Sequence, residues 1–159
     1  MNTVRAALLV VIFAVSGFSQ ASSTQVHRQA RTSDRDRLIG AWRLVSIAAP
    51  GPNGKLSISH PPGMLTYTRD SHVSVQLMYP APERAVSNEY VLNGYEASFG
   101  SYDIDEAKHI LTHHIEGSNT RDLLVGKSLP RVYEFDAQGN LIIKSAQSDE
   151  RWSVTWKHY

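Results

Sequence analysis

From Leu38 onward, apolar and polar residues alternate with a period of two rather than 3.6. That period marks strands with one buried and one wet face. Eight strands are predicted, near 39–48, 63–68, 72–79, 98–104, 109–116, 130–136, 141–146 and 151–158. The breaks between them carry turn chemistry: Pro50-Gly51-Pro52-Asn53-Gly54, Arg69-Asp70-Ser71, and Asp136-Ala137-Gln138-Gly139-Asn140. The alternation lapses over 87–97 (SNEYVLNGYEA), where one helix is predicted with Ser87 or Asn88 as its cap and Gly94 weakening its end. Residues 117–128 are predicted as a long loop. Eight short antiparallel strands with hairpin-length links imply an all-β fold, a closed up-and-down barrel or a sandwich. Closure removes exposed edges, and eight strands enclose room for packed side chains or one small ligand.

Several segments resemble a known family. Gly40-Ala41-Trp42 opens the first strand as a G-x-W signature opens lipocalins, which makes Gly40 and Trp42 the structural signature. The wider pattern runs through LIGAWRLVS at 38–46, GMLTYTRDSHVSVQLM at 63–78, GYEASFGSYDID at 94–105, THHIEGS at 112–118 and VGKSLPRVYEF at 125–135. Together these resemble the bacterial and fungal lipocalin-like domain family, over roughly residues 38–158. The resemblance implies an eight-stranded antiparallel, calycin-type barrel and a small hydrophobic or amphipathic ligand inside it. Related barrels include carriers and a few enzymes, so no single activity is implied. Two departures stand out. Where relatives often carry Pro-Asn-Trp before the Val-Gly pair, this chain has Arg121-Asp122-Leu123-Leu124. Where relatives often place an arginine two residues after the last tryptophan, to brace the first-strand tryptophan, this chain has His158.

The first 21 residues read as a cleaved leader. Arg5 precedes an apolar run from Ala6 to Val15, and Ser19-Gln20-Ala21 suits signal peptidase, with cleavage after about Ala21. The run is shorter than the ~20 apolar residues that span a bilayer, so no stable membrane span is expected. Export is therefore expected, to a periplasm or beyond the cell. The chain has no cysteine, which excludes disulfides and thiolate metal sites and leaves stability to packing. Residues 22–37 hold four arginines and two aspartates with almost no apolar residue and are predicted to be a disordered linker. The domain from residue 38 carries 11 basic and 13 acidic residues, so nucleic acid is not expected as a partner.

Side chains at i and i+2 share a strand face. The more apolar faces collect Trp42, Leu44 and Ser46; Leu65 and Tyr67; Val73, Val75 and Leu77; Leu111, His113 and Ile115; Arg131, Tyr133 and Phe135; Leu141 and Ile143; and Trp152, Val154, Trp156 and His158. This face should point inward. Its polar intruders are His113, Arg131 and His158. An ionised group is costly to bury alone, so Arg131 needs either a protein carboxylate or carbonyl, or a ligand's anionic end. A planar guanidinium suits a carboxylate because it grips it through two bonds. The expected ligand-binding set is His113 and Arg131, with Tyr67, Tyr102 and Tyr133 lining a pocket; Tyr95 is a further candidate.

His113 and His114 fall on opposite faces, which makes the pair a poor metal site. His114 and Glu116 share the outward face; a bulge would turn them inward as an acid–base pair. No nucleophile elbow, phosphate loop or dinucleotide fingerprint is present, and no cofactor or metal is expected, although His109, His113 and His158 can converge only through folding. The leading expectation is an exported barrel binding a small, mostly apolar molecule. The alternatives are a cofactor-independent isomerase or cyclase on the same barrel, and a filled structural barrel.

Overall fold

In a computed structural model, described for residues 32–51, 53–79 and 87–159, the chain forms nine antiparallel strands and two short helices. The leader and most of the linker, residues 1–31, lie outside the described residues. The strands are β1 (Gly40–Pro50), β2 (Leu56–Ser59), β3 (Gly63–Tyr67), β4 (His72–Met78), β5 (Tyr95–Asp105), β6 (Ile110–Ser118), β7 (Ser128–Phe135), β8 (Leu141–Ser145) and β9 (Ser153–His158). They hydrogen-bond in chain order from β3 to β9, β1 pairs with both β3 and β9, and the sheet closes. Eight strands make the barrel. The ninth, β2, was not predicted from its short LSIS sequence; it pairs with the far half of β1, Ile47 opposite Ser59 and Pro50 opposite Leu56.

The helix predicted over 87–97 does not form. Residues 87–94 are turns, and Tyr95 already belongs to β5. The Asn88 side chain accepts from the amides of Tyr90 and Val91 at 2.8 and 2.9 Å, so it caps a turn instead of starting a helix. Asn93 and Gly94 both take positive φ, which a helix interior does not allow. The end of the expected linker is ordered as α1 (Asp34–Leu38). Ser33 caps it, and the Glu106 carboxylate accepts from the amides of Asp34 and Arg35. Within the predicted 117–128 loop lies one helical turn, α2 (Arg121–Leu124), which buries Leu124.

The core runs through the barrel along the predicted inward faces. Leu65, Tyr67, Val73, Leu77, Leu111, Tyr133, Leu141, Ile143 and Trp156 are all buried. Strand β1 departs halfway. A bulge between Leu44 and Ser46 puts Leu44 opposite Trp156 but Ser46 opposite Thr155. The extra residue reverses the faces beyond it, so Ile47 rather than Ser46 is the buried residue.

One end is closed by α1. Leu38 is fully buried, and its carbonyl accepts from the Trp42 indole N–H at 2.8 Å. The Arg37 guanidinium lies over the Phe135 ring, 3.7 Å from its centroid. His158 is exposed rather than inward. Its ring sits on Trp42 with centroids 3.6 Å apart, and its Nε2 lies 3.2 Å from the Arg37 carbonyl. It therefore braces Trp42, the role expected of an arginine at this place. Gly40, at φ 130°, lets this happen: a Cβ there would come within 2.8 Å of the His158 ring. Among the described residues, no helix is long and apolar enough to cross a membrane.

Candidate functional site

Towards the other end the barrel is not filled. A cavity of about 240 Å³ is walled by Leu65, Val75, Leu77, Ile115, Ile143 and Trp156, with Tyr90 and Val91 of the 87–94 turn and Leu124 of α2 among its further lining. The turn is held down by the Thr120 hydroxyl, which donates to the Glu89 carbonyl at 2.7 Å. Into this apolar space project Arg131, His113, Glu96, Ser98, Tyr79, Tyr90 and Asn88. Sparse polar groups on an apolar wall are the arrangement that orients a small ligand.

Arg131 is buried at mid-strand on β7. Trp152 and Tyr90 flank it, with ring centroids 4.9 and 5.4 Å from the guanidinium carbon. Among the described residues no carboxylate forms an ion pair with it; the ion pairs present lie elsewhere, such as Arg37–Asp34, Lys108–Asp105 and Lys144–Glu134. Both rings lie within cation–π range of the guanidinium, and Arg131 also borders the cavity.

His113 is buried on β6 and shares its ring Nε2 with the Tyr67 hydroxyl at 2.8 Å. Burial and the nearby Arg131 charge push its pKa down to about 3, so it is neutral. Glu96 is the group that the sequence reading missed, because its segment was read as helix. On β5 it sits opposite Leu77 of β4 and faces inward. Burial raises its carboxyl from an ordinary 4.5 to about 7, against the lowering pull of Arg131. Tyr79 is raised to about 12 by burial and by the neighbouring Glu96 charge.

The three expected tyrosines do not line this cavity. Tyr67 lies beneath it and reaches it only through His113. The Tyr102 hydroxyl donates to the Thr68 carbonyl at 3.1 Å, and its ring meets Tyr67 edge-on. The Tyr133 hydroxyl donates to Asp34 of α1 at 3.2 Å. These belong to the closed end. Tyr95 is exposed on the outer surface.

His114 and Glu116 both stay outside the barrel. A bulge does occur beside them: Phe99 pairs with Gly117, but Gly100 pairs with Ile115, leaving Glu116 as the extra residue. It comes too late in β6 to turn His114 inward. His114 is oriented instead by Asp103, 2.9 Å from its Nε2, with the Ser128 hydroxyl 2.8 Å from its Nδ1. His109 lies near Asp34 and His158 on Trp42, so neither converges with His113. Among the described residues no group of three or more potential metal ligands forms.

The chain thus forms a closed eight-stranded antiparallel barrel, opened by Gly40-Ala41-Trp42 and enclosing an apolar cavity. Residues 39–158 match the model of the lipocalin-like domain family. The chain belongs to that family. No match to a curated protein was found. A lipocalin-like domain provides a fold suited to binding a small molecule.

Proposed function

We propose that this lipocalin-like protein is exported and carries one small, mostly apolar molecule whose anionic or carbonyl end is held by Arg131. The observation behind this reading is the buried guanidinium, with the Trp152 and Tyr90 rings beside it, bordering an apolar cavity and in no ion pair with a described carboxylate. A buried cation keeps its charge at least cost when a bound anion neutralises it. His113, neutral at ordinary pH, adds a hydrogen-bonding group without a competing charge. The volume of about 240 Å³ lies below the range typical of pockets for drug-sized ligands, which favours a ligand no larger than a bicyclic acid. Export rests on Arg5, the apolar run Ala6–Val15 and Ser19-Gln20-Ala21. N-terminal sequencing of the exported protein should begin at about Ser22.

The test uses 2-naphthoate and its neutral isostere 2-naphthamide, titrated at pH 6 into the natural chain and Arg131→Met. Methionine keeps an apolar stem of similar length and removes the charge. The substitution should weaken naphthoate binding by about tenfold or more, as expected for losing a charge-assisted bidentate contact, and change naphthamide binding little. Equal losses for both ligands would refute the charge role. The filled-barrel alternative has the cavity against it. The isomerase alternative has one observation in its favour: Glu96, titrating near neutrality, shares the apolar cavity with Arg131, a pairing suited to moving a proton beside a stabilised oxyanion. Turnover of a panel of small enones would establish it.

A further inference from the structure

The cavity has two polar poles, and only Arg131 was foreseen. Glu96 and Arg131 line the same space and form no ion pair with each other, so neither is tied up by the other. We propose that the cavity takes up a small monocarboxylate together with one proton, the carboxylate on Arg131 and the proton on Glu96. This rests on the carrier reading above and adds to it a second ligand-facing residue and a selectivity for monoanions.

The geometry leaves few other outcomes. Among the described residues, Arg131 is the charge that favours ionised Glu96, while burial disfavours it. A carboxylate on Arg131 cancels that help. It also sets a second negative charge in the same low-dielectric space, where two carboxylates cannot both stay ionised cheaply. Glu96 must then take a proton from solvent. As a neutral acid it donates a hydrogen bond that an ionised Glu96 cannot, and the bound carboxylate is an acceptor.

Among the described residues lining this space, no other group competes for the role. From β6 comes His113, neutral because its pKa is near 3. Tyr79, just past β4, is raised to about 12, and Tyr90, from the 87–94 turn, is also raised, so both remain protonated. From β5 itself comes Ser98, which does not titrate in this range. Glu150, in the turn before β9, feels Arg131 from outside the cavity lining; its carboxyl is lowered by the Ser145 hydroxyl and the Trp152 indole and stays ionised. Across the cavity lining described, Glu96 alone changes charge near neutral pH.

The experiment is calorimetric titration of 2-naphthoate into the full exported chain at pH 8, in phosphate and in Tris, whose ionisation enthalpies differ. The expected result is uptake of roughly one proton per ligand, with affinity flat below pH 7 and falling by up to about tenfold per pH unit above it. In Glu96→Gln, which mimics the neutral acid, uptake should vanish and affinity should become independent of pH. Naphthoate binding without proton uptake in the natural chain overturns this inference and leaves the carrier reading standing. No naphthoate binding at any pH overturns both. The proton count in the natural chain decides the matter even if the variant folds poorly.

Discussion

Replacing Glu96 by glutamine should make the empty barrel more stable in alkali than the natural chain. Folding moves this carboxyl from solvent to the cavity wall, where burial raises it from 4.5 to about 7. A carboxyl raised by folding binds its proton more tightly in the native state. Its neutral form is accommodated below the unfolded pKa, and stability is lost as pH climbs through the folded one. At about 1.4 kcal/mol per pH unit of pKa difference, the full loss is about 3 kcal/mol, reached near pH 8. Glu96 borders a cavity rather than packed core, so this is a ceiling. Glutamine never ionises and avoids the loss. The assay is urea unfolding of both chains from pH 5 to pH 8.5, with m-values compared to check that the unfolded states match. Groups shared by both chains cancel in the difference. The stability difference should grow from under about 1 kcal/mol at pH 5 to at most about 3 kcal/mol at pH 8. Parallel pH profiles would show that Glu96 is as well solvated folded as unfolded, and the two-pole cavity would lose its physical basis.

Three other substitutions probe the frame around the cavity. Tyr67→Phe removes the hydroxyl on His113 Nε2 and leaves a buried polar nitrogen unpaired, which should cost about 1–3 kcal/mol in thermal or urea unfolding. His113→Gln should reduce the stability lost on acidification below about pH 6.5, because the natural histidine, held down to about 3, must protonate on unfolding; an unchanged acid profile would contradict the neutral assignment. Gly100→Ala sets a Cβ 1.9 Å from the His114 carbonyl oxygen at the β5–β6 bulge, and the backbone shift it forces should cost about 3 kcal/mol or more. A neutral result there would mean that the bulge relaxes freely.

Strand faces are a local property, because alternation follows from the pleat alone. That is why the inward placement of Leu65, Tyr67, Val75, His113, Arg131 and Ile143 was legible before any fold was known. The same logic fails wherever one residue is inserted. In β1 the bulge after Leu44 exchanges Ser46 for Ile47, and no residue type near it announces the shift. Glu96 was lost for a related reason. VLNGYEA offers helix-forming residues in a short window, and only pairing with β4, Tyr95 opposite Met78 and Glu96 opposite Leu77, makes it a strand.

Height along the barrel was beyond local pattern altogether. Tyr102, Tyr133 and Arg131 all lie on inward faces, yet two of them seal the end beneath α1 and one lines the cavity. What separates them is register between strands and the docking of α1 on Trp42 and Phe135, contacts made by residues far apart in the chain. Alternating polarity by itself determined that this chain makes strands and which side of most of them is buried. Closure of the sheet decided which buried groups meet one another and which meet empty space, because charge and hydrogen bonding depend on neighbours that only the tertiary fold brings together.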